Sequence, residues 1–333
     1  MTGPATTRQV KTRLVSADDA AIADAARQLA AGGLVAFPTE TVYGLGADAT
    51  NGEAVARLYE AKGRPAFNPL IAHVVDIAAA RALARFPAEA MRLAAAFWPG
   101  PLTLVLRKAR GCPVADLATA GLDSIAVRVP NHAVAQKILA RFARPVVAPS
   151  ANRSGHVSPT TAEHVLADLA GRIDLVVDGG ATPVGVESTI VACLDAPMLL
   201  RPGGVAREAI ERALGRPLVD APAGCATDDT PLAPGMLASH YAPRAALRLN
   251  ADRVEPGEAL LAFGPTLTAG AERAVKVLNL SERGDPIEAA AKLFSHLRAL
   301  DAAGAKVIAV MPVPHEGLGE AINDRLARAA RPR

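Results

Sequence analysis

The chain has 333 residues, of which 50% are hydrophobic and only 3% aromatic, so its length suits two domains and its core must be mainly aliphatic. The formal net charge of +3 is small for this length, which argues against a protein whose main task is to neutralise a nucleic-acid backbone, although a local basic groove is compatible with it. Three scattered cysteines without a C-x-x-C pair predict neither a disulfide framework nor a zinc site.

The sequence shows no targeting or membrane-spanning pattern. The N-terminal segment MTGPATTRQVKTRL has no apolar stretch of signal-peptide length. No uninterrupted apolar run approaches the roughly 18 residues that a transmembrane helix needs. Together with the cysteine pattern, these features predict a soluble, cytoplasmic protein that does not enter a membrane.

Helix-like and strand-like segments alternate through the first part of the chain. Residues 18–33 begin with an aspartate and end with glycine, which predicts a helix, and LVAFP (34–38) predicts a buried strand after it. Residues 51–63 predict a second helix, capped by Asn51 and terminated by Gly63. Further strands are predicted for short, β-branched segments bounded by breakers: 70–75, 102–108, 124–130, 144–150, 175–180 and 188–194.

The character of the sequence changes between residues 216 and 243, which are rich in Pro, Ala, Gly and Asp and lack a period. They predict a linker between a domain over residues 1–215 and a small, Rossmann-like α/β domain over residues 244–333. In the second domain a helix is expected from Pro286 to about Ala303. Its apolar face is predicted to consist of Ile287, Ala291, Phe294 and Leu297.

The segment PTETVYGLGADA (38–49) follows the first strand and contains G-x-G-x-x-A at Gly44, Gly46 and Ala49. A dinucleotide-binding fingerprint would place these glycines at the strand-to-helix turn, whereas here the next helix cap is Asn51, so we discount it. Two interpretations remain. The segment is either a loop whose glycines permit unusual backbone angles, or a ligand site built from the polar residues Thr39, Glu40 and Thr41 at the exit of the strand.

The segment KGRPAFNPL (62–70) places Lys62 and Arg64 on either side of Gly63. A helix C-terminus explains Lys62, since a cation complements the helix dipole there. It does not explain Arg64, Pro65 and the following Asn-Pro. A phosphate chain would suit the point charge of a lysine beside the forked donors of an arginine. No G-x-x-x-x-G-K-[ST] motif is present, so side chains such as these would have to hold any triphosphate.

Other polar residues lie within or beside predicted strands. Arg128 is flanked by valines, so it must either face water at a sheet edge or meet an anion. His73 shares a strand face with Ile71 and Val75 and, taken alone, is typical of a core histidine. In APSANRSGHVSPTT (148–161), a polar cluster follows a strand, where α/β proteins bind ligands, although a surface loop that caps the next helix would look the same. Its polar residues are Ser150, Asn152, Ser154, Ser158, Thr160 and Thr161.

Two further strings, GVESTIV (185–191) and LLRPGGV (199–205), contribute Ser188 and Arg201. Each residue is unremarkable by itself, since lone serines are usually structural and a terminal arginine is usually solvated. The serines do not indicate a hydrolase, because G-x-S-x-G is absent.

Taken together and in this order, PTETVYGLG, KGRPxxNPL, VRVP, PSANxSG, ESTIV and LLRPG resemble the Sua5/YrdC family of threonylcarbamoyl-AMP synthases. The resemblance spans roughly residues 15–215. SHYAP (239–243), followed by a small α/β unit, is similar to the C-terminal extension of the longer Sua5-type members. The family fold implied for the first domain is a twisted, open, mixed α/β sheet with a positively charged concave face.

The resemblance implies an enzyme that joins L-threonine, bicarbonate or CO2, and ATP to give L-threonylcarbamoyladenylate and pyrophosphate, with Mg2+ accompanying ATP. The product would pass to the machinery that makes N6-threonylcarbamoyladenosine at tRNA position 37, and direct tRNA binding is left open. The implied threonine pocket consists of Thr41, His73, Arg128, Ala148 and Ser188. The implied nucleotide site consists of Lys62, Arg64, Asn68, Ser124, Ser150, Ser158, Arg201 and Tyr241, with Lys62 and Arg64 as the catalytic cations.

On this interpretation, the Pro-rich segment that ends near Tyr241 would act as a lid that keeps water from a hydrolysable mixed anhydride.

An alternative from another class is an RNA-binding module that uses a basic concave face. The small net charge and the few aromatic residues count against it. A carbamoyl-adenylate-forming hydrogenase-maturation protein would carry Cys-rich zinc motifs, which this sequence lacks.

Overall fold

The computed structural model describes residues 10–221, which we call the N-terminal unit, and residues 241–331, which we call the C-terminal unit. Each unit is built around its own sheet, a large mixed sheet in the first and a small parallel sheet in the second. The predicted fold class is confirmed. Within these two ranges, no helix combines the length and the apolar character that crossing a bilayer requires.

The secondary-structure elements follow in chain order. The strands of the N-terminal unit are β1 (Arg13–Ser16), β2 (Val35–Pro38), β3 (Tyr43–Asp48), β4 (Ile71–His73), β5 (Leu102–Arg107), β6 (Ser124–Arg128), β7 (Val146–Val147), β8 (Leu175–Asp178), β9 (Thr189–Ala192), β10 (Met198–Arg201) and β11 (Val219–Asp220). Its helices are α1 (Asp19–Ala30), α2 (Gly52–Lys62), α3 (Ile77–Leu83), α4 (Ala88–Phe97), α5 (Ala133–Phe142), α6 (Ala162–Leu169) and α7 (Arg207–Leu214), with a 3-10 turn at Asp116–Thr119. The C-terminal unit contains β12 (Ala246–Arg248), β13 (Ala259–Ala262), a 3-10 turn at Ala271–Arg273, β14 (Val277–Asn279), α8 (Pro286–Asp301), β15 (Val307–Val310) and α9 (Gly319–Ala329).

The large sheet has the strand order β1-β8-β2-β3-β7-β4-β6-β5-β9-β10-β11. Strands β2, β3, β7 and β4 are antiparallel neighbours, whereas β4 pairs in parallel with β6. The register sets His73 at the end of β4 beside Arg128 at the end of β6. Residues that are far apart in the sequence therefore meet at one edge of the sheet.

The predicted caps place α2 and the basic segment after it. The Asn51 side chain accepts hydrogen bonds from the backbone of Glu53 and Ala54, which satisfies two donors at the start of the helix. Gly63 ends the helix with φ of 60°, a left-handed conformation that glycine adopts without a steric penalty. Lys62 is thus the last helical residue, and Arg64 begins the loop that follows.

The expectation of a loop over residues 38–49 is wrong for its second half. Tyr43–Asp48 forms β3, which pairs antiparallel with β2 and then with β7. Gly46 is explained by packing rather than by backbone freedom, because a Cβ there would lie 2.7 Å from the ring of Phe37 and 3.1 Å from Val146. Gly44 and Gly46 lie inside β3 and not at a strand-to-helix turn.

The C-terminal unit is a four-stranded parallel sheet in the order β12-β15-β13-β14. Helix α8 begins after Asp285, which caps the backbone of Ile287, and buries Leu293, Phe294 and Leu297. The predicted apolar face of this helix was wrong at Ile287, whose side chain is 67% exposed. That residue lies in the first turn, which faces solvent, while the buried stripe begins at Ala289 and Ala290.

The two units share part of their apolar core. Val42, Val157 and Val186 of the N-terminal unit pack in one cluster with the residues beneath α8 and α9. An ion pair at 2.6 Å joins Arg207 on α7 to Glu320 on α9. The C-terminal unit is therefore packed against the N-terminal unit through both apolar and charged contacts.

The predicted linker over residues 216–243 is described only in part. Its first residues include the short strand β11, which pairs in parallel with β10. Residues 222–240 lie outside the described residues, as does the main part of the predicted lid. Tyr241, at the end of that segment, is described and is buried.

Candidate active site

A cleft opens where the loops after the central strands of the large sheet meet, and its empty space, including the part open to solvent, measures about 500 Å³. Most of the site residues predicted from the sequence line it: Thr41, Arg64, His73, Arg128, Ala148, Ser150, Ser188, Arg201 and Tyr241. The structure therefore brings together members of both the predicted threonine pocket and the predicted nucleotide site. Lys62, Asn68, Ser124 and Ser158 are not part of this wall.

Arg128 projects into the cleft from the end of β6. Its Nη1 donates to Thr41 Oγ1 at 3.0 Å, and its Nη2 lies 2.7 Å from Glu40 Oε1. Both members of this ion pair are buried. Nη2 and the two carboxylate oxygens nevertheless have no aligned hydrogen-bond partner among the described residues. The guanidinium thus keeps hydrogen-bonding capacity that an anionic ligand in the cleft could use.

His73, beside Arg128 in the register, is neutral. Its Nδ1 lies 3.1 Å from the Ile71 carbonyl oxygen, and since a carbonyl only accepts, Nδ1 carries the proton of this hydrogen bond. Burial and the neighbouring Arg128 guanidinium lower the pKa of His73 to about 3. The imidazole therefore adds no cation to the cleft and is a weak base at neutral pH.

Lys62 lies behind the wall of the cleft. Its Nζ donates to the carbonyl oxygens of Ser150 and Asn152, each at 2.5 Å. These bonds fasten the end of α2 to the polar segment that follows β7. Burial, followed by the neighbouring Arg64, lowers the pKa of Lys62 well below its usual value. A negative charge nearby would stabilise the protonated amine.

Arg64 lines the cleft and is held by the loop that the motif predicted. Its guanidinium donates to the carbonyl oxygens of Asn68 at 3.3 Å and Pro69 at 3.0 Å. Burial lowers the pKa of Arg64 to about 10. The side-chain amide of Asn68 is buried, and neither its oxygen nor its nitrogen has a partner among the described residues. An unsatisfied buried amide is costly, which is typical of a group that awaits a ligand.

Ser188 and Arg201 are held together on the opposite wall. Arg201 donates to the Ser188 carbonyl oxygen at 2.8 Å, and the Ser188 hydroxyl lies 2.7 Å from Thr103 Oγ1. The loop after Arg201 can approach so closely because residue 203 is glycine. A Cβ on Gly203 would lie 2.3 Å from the Glu187 carbonyl oxygen.

Glu187 is a wall residue that the sequence analysis did not select. Its Oε1 accepts a hydrogen bond from Ser158 Oγ at 2.5 Å, which explains why Ser158 lies behind the wall. Its Oε2 accepts from Arg325 Nε at 2.8 Å. The only sequence signal was its place directly before Ser188 in GVESTIV. Arg325 lies 138 residues further on, and no motif marked it.

The remaining predicted residues occupy separate positions. Ser150 and Ala148 line the cleft from the segment after β7, and the Ala148 amide donates to the Ile71 carbonyl oxygen at 3.2 Å. Tyr241 lines it from the chain entering the C-terminal unit and stacks on Phe294 with ring centroids 5.6 Å apart. Ser124 begins β6, the end opposite Arg128. The parallel pairing with β4 puts it near the loop that holds Arg64.

The cleft is suited to anionic ligands. Guanidinium groups reach it from three separate elements, and the buried carboxylate that lines it, Glu187, is paired with Arg325. Glu40, which does not line the cleft, is paired with Arg128. Residues 10–221 and 241–331 contain no group of three His, Cys, Asp or Glu side chains placed to hold a metal ion. Mg2+ commonly binds through substrate phosphates with few protein ligands, so a cage of this kind is not needed for an ion that enters with a nucleotide.

Two family models match the chain along most of its length. A Sua5/YciO/YrdC model described as "Telomere recombination" matches residues 27–203. A model described as "Threonylcarbamoyl-AMP synthase, C-terminal domain" matches residues 205–331.

Individual relatives match over both units. A protein of Pyrococcus abyssi named threonylcarbamoyl-AMP synthase is 44% identical, over 90% of this chain and 91% of its own length. One of Bacillus subtilis with the same name is 42% identical, over 95% and 94%. The crystal structure of P. abyssi Sua5 complexed with L-threonine superimposes with a TM-score of 0.85 at 41% identity, covering 96% of this chain and 97% of that one.

Proposed function

The chain belongs to the Sua5/YrdC family, and we propose that it is a threonylcarbamoyl-AMP synthase that forms L-threonylcarbamoyladenylate and pyrophosphate from L-threonine, bicarbonate or CO2, and ATP. In this proposal the enzyme is a nucleotidyltransferase. The observation that carries it is the cleft itself, in which buried Arg64, Arg128 and Arg201 converge from separate elements. A ligand pair with a carboxylate and a polyphosphate matches such a distribution of cations.

We place threonine at the Arg128 side of the cleft. Nη1 and Nη2 of Arg128 would grip the carboxylate, with Thr41 holding the guanidinium at 3.0 Å. Ser188 and the backbone at Ala148 complete the pocket. His73 is neutral, so it neither repels a protonated amine nor competes for the carboxylate.

We place the nucleotide along the Arg64 side. Arg64 lines the cleft and would contact the phosphates, whereas Lys62 lies behind the wall, held by two carbonyl oxygens, and would add positive charge at longer range. The unpartnered amide of Asn68 offers both a donor and an acceptor. Burial lowers the pKa of both cations, so a polyphosphate would relieve an existing electrostatic cost. The rest of the proposed nucleotide site consists of Ser124, Ser150, Ser158, Arg201 and Tyr241.

The proposed reaction has two bond-forming steps. The threonine amine adds through nitrogen to the carbon of CO2 and loses a proton, which gives a carbamate. A carbamate oxygen then attacks the α-phosphorus of ATP, and the bond to the β-phosphate oxygen breaks to release pyrophosphate. Charge grows on the phosphoryl oxygens and on the leaving group, where Lys62, Arg64 and the Mg2+ carried by ATP would stabilise it. With a pKa of about 3, His73 is unsuited to act as general base, so positioning would supply much of the rate.

The product class suggests a cytoplasmic role in tRNA modification. A carbamoyl-adenylate is a mixed anhydride that water hydrolyses, so we expect it to be handed on to the machinery that modifies adenosine 37 of certain tRNAs. Tyr241, buried against Phe294 at the edge of the cleft, would limit access of water from the side of the C-terminal unit.

The proposal is tested by measuring pyrophosphate release while each substrate is omitted in turn. We expect release to require ATP, L-threonine and bicarbonate together, and the adenylate to be detected by mass spectrometry in the complete mixture. Pyrophosphate release that is indifferent to threonine would contradict the substrate assignment. Release without bicarbonate, in buffer freed of CO2, would contradict the carbamate step.

A further inference from the structure

Glu187 places a buried negative charge on a cleft that otherwise suits anionic ligands. This carboxylate is buried on a wall that, under the proposed function, has to accept a polyphosphate. An uncompensated negative charge there would repel the nucleotide and would itself be costly to bury. The charges and hydroxyls around Glu187 therefore decide whether the wall is usable.

Arg325 of the C-terminal unit compensates the negative charge of Glu187. It lies on α9 and is fully buried, with its Nε 2.8 Å from Glu187 Oε2. Its Nη2 donates to the Pro202 carbonyl oxygen at 3.0 Å, and its Nη1 donates to Asp324 at 2.5 Å. Each nitrogen of the guanidinium thus has a partner. The side chain is held across the boundary between the two units, directly behind Glu187.

Arg325 also contacts the tyrosine that borders the cleft. Its guanidinium carbon lies 5.1 Å from the centroid of the Tyr241 ring, a cation–π distance, and Tyr241 stacks on Phe294. The Tyr241 backbone has a φ of 64°, a left-handed conformation that a bulky residue adopts only where its surroundings enforce it. Arg325 is one of the contacts that fix this ring.

The groups around Glu187 favour its ionised form. Burial alone would raise the pKa of Glu187, but the guanidinium groups of Arg325 and Arg201 and the Ser158 hydroxyl lower it to about 2. The carboxylate is therefore negative at every physiological pH, and neutrality of this part of the wall depends on its cationic partners.

We infer that Arg325 is a positioning residue of the active site, by which the C-terminal unit neutralises Glu187 and fixes Tyr241 so that the N-terminal unit can bind the nucleotide. This inference rests on the proposed function and gives the C-terminal unit a specific part in it. Arg325 does not line the cleft and would act through its contacts with Glu187 and Tyr241.

The test compares ATP binding, by isothermal titration calorimetry, and steady-state pyrophosphate release in full-length variants. Arg325→Met should weaken ATP binding and raise the KM for ATP by about tenfold, with a smaller change in kcat, because the unpaired carboxylate opposes binding more than chemistry. Arg325→Met combined with Glu187→Gln removes both charges and should restore ATP binding to within about threefold of the wild type. A purely structural role would also be relieved by the second substitution, because both charges are then gone, so the free energy of unfolding of each variant in urea is measured beside ATP binding. Only weakened ATP binding in an Arg325→Met protein that is fully folded at the assay temperature supports the inference.

Glu320→Gln is the matched control, since it breaks the ion pair of α9 with Arg207, which is at the same boundary but does not line the cleft. It should leave the KM for ATP unchanged. The inference is overturned if Arg325→Met binds ATP like the wild type, or if the double variant binds it as poorly as Arg325→Met. Should Arg325→Met fail to fold, the double variant alone decides, and binding more than tenfold weaker than in the wild type overturns the inference.

Failure of the proposed function looks different. A wild-type protein that neither binds ATP nor releases pyrophosphate contradicts the synthase assignment itself. An active wild type with an unaffected Arg325→Met variant contradicts only the role of Arg325.

Discussion

The two α/β units differ in how polar side chains at the ends of their strands are satisfied. In the N-terminal unit, Arg128 Nη2 and the carboxylate of Glu40 are buried without aligned hydrogen-bond partners in the described residues. In the C-terminal unit, Asn279 at the end of β14 donates to the Gly264 carbonyl oxygen at 2.9 Å and accepts from Ser281 N at 3.0 Å. The Ser281 hydroxyl in turn donates to Glu288 at 2.6 Å.

This difference is the one expected between a candidate ligand site and a structural loop. Both sheets are open α/β sheets, whose strand ends are the usual place for ligands. At the end of β14 the polar groups satisfy one another, which stabilises the loop. Around the cleft, some buried polar groups are left without hydrogen-bond partners. This lowers the stability of the fold and is expected where a substrate supplies the missing partners.

The largest effect is expected at Arg128. Arg128→Lys keeps the positive charge opposite Glu40 but removes the forked donors. We expect a loss of about 1.5–3 kcal/mol of carboxylate binding. That is roughly one to two powers of ten in kcat/KM for threonine, measured by pyrophosphate release at varied threonine.

The matching control in the other unit is Arg248→Lys, because Arg248 holds Glu258 through two hydrogen bonds at 3.0 and 2.5 Å. Its effect on stability should stay below about 1 kcal/mol, and the kinetics should not change. Equal kinetic losses in the two variants would contradict the distinction between the units.

A smaller effect is expected from His73 on the pH dependence of stability. The folded-state pKa is about 3, below the ordinary value of 6.5, so the unfolded chain binds one more proton between these values. The stability that the neutral imidazole contributes is complete above pH 6.5 and is lost as the pH falls towards 3. His73→Asn does not titrate there.

The free energy of unfolding in urea, measured between pH 7 and pH 5, should therefore fall more steeply for the wild type than for His73→Asn. The expected difference in slope approaches about 1.4 kcal/mol per pH unit. Parallel curves would mean that His73 is not held neutral. The lowered pKa of His164 is common to both proteins and cancels in the comparison.

The smallest effect is expected at the end of β14. Asn279→Ala removes two local hydrogen bonds and should cost about 1 kcal/mol of stability. Thermal unfolding measures this loss, while the KM values for ATP and for threonine should remain at the wild-type level. A raised KM would show that the strand ends of the C-terminal unit take part in the reaction.

Local patterns in the sequence predicted much of the fold. Asn51 and Gly63 bound α2 as expected, because capping and a left-handed terminator depend on neighbouring residues alone. Strand β3 was missed because glycines at 44 and 46 disfavour a strand by propensity. Glycine is needed at these positions because Ala148 and Phe37 approach the strand closely. A single stretch of sequence does not reveal such contacts.

The candidate site was predictable where motifs carried it, and not where distant segments meet. Arg64, Arg128 and Arg201 lie in recognisable strings and line the cleft as a group. Whether these residues bind the substrates assigned to them remains a prediction. Glu187 and Arg325 escaped notice because their ion pair depends on how the two units pack, and α9 carries no motif that marks it.

Gly185 joins two loops of the N-terminal unit beside the cleft and lies against helix α8 of the C-terminal unit. Its amide donates to the Thr41 carbonyl oxygen at 3.1 Å, and a Cβ on it would lie 2.3 Å from the Ala290 carbonyl oxygen of α8. Any side chain at this position would wedge the helix away from the loop. A foreign C-terminal segment grafted onto residues 10–221 would therefore need a helix that fits against the backbone of Gly185. Steric fit at this one glycine limits which N-terminal and C-terminal units can be combined.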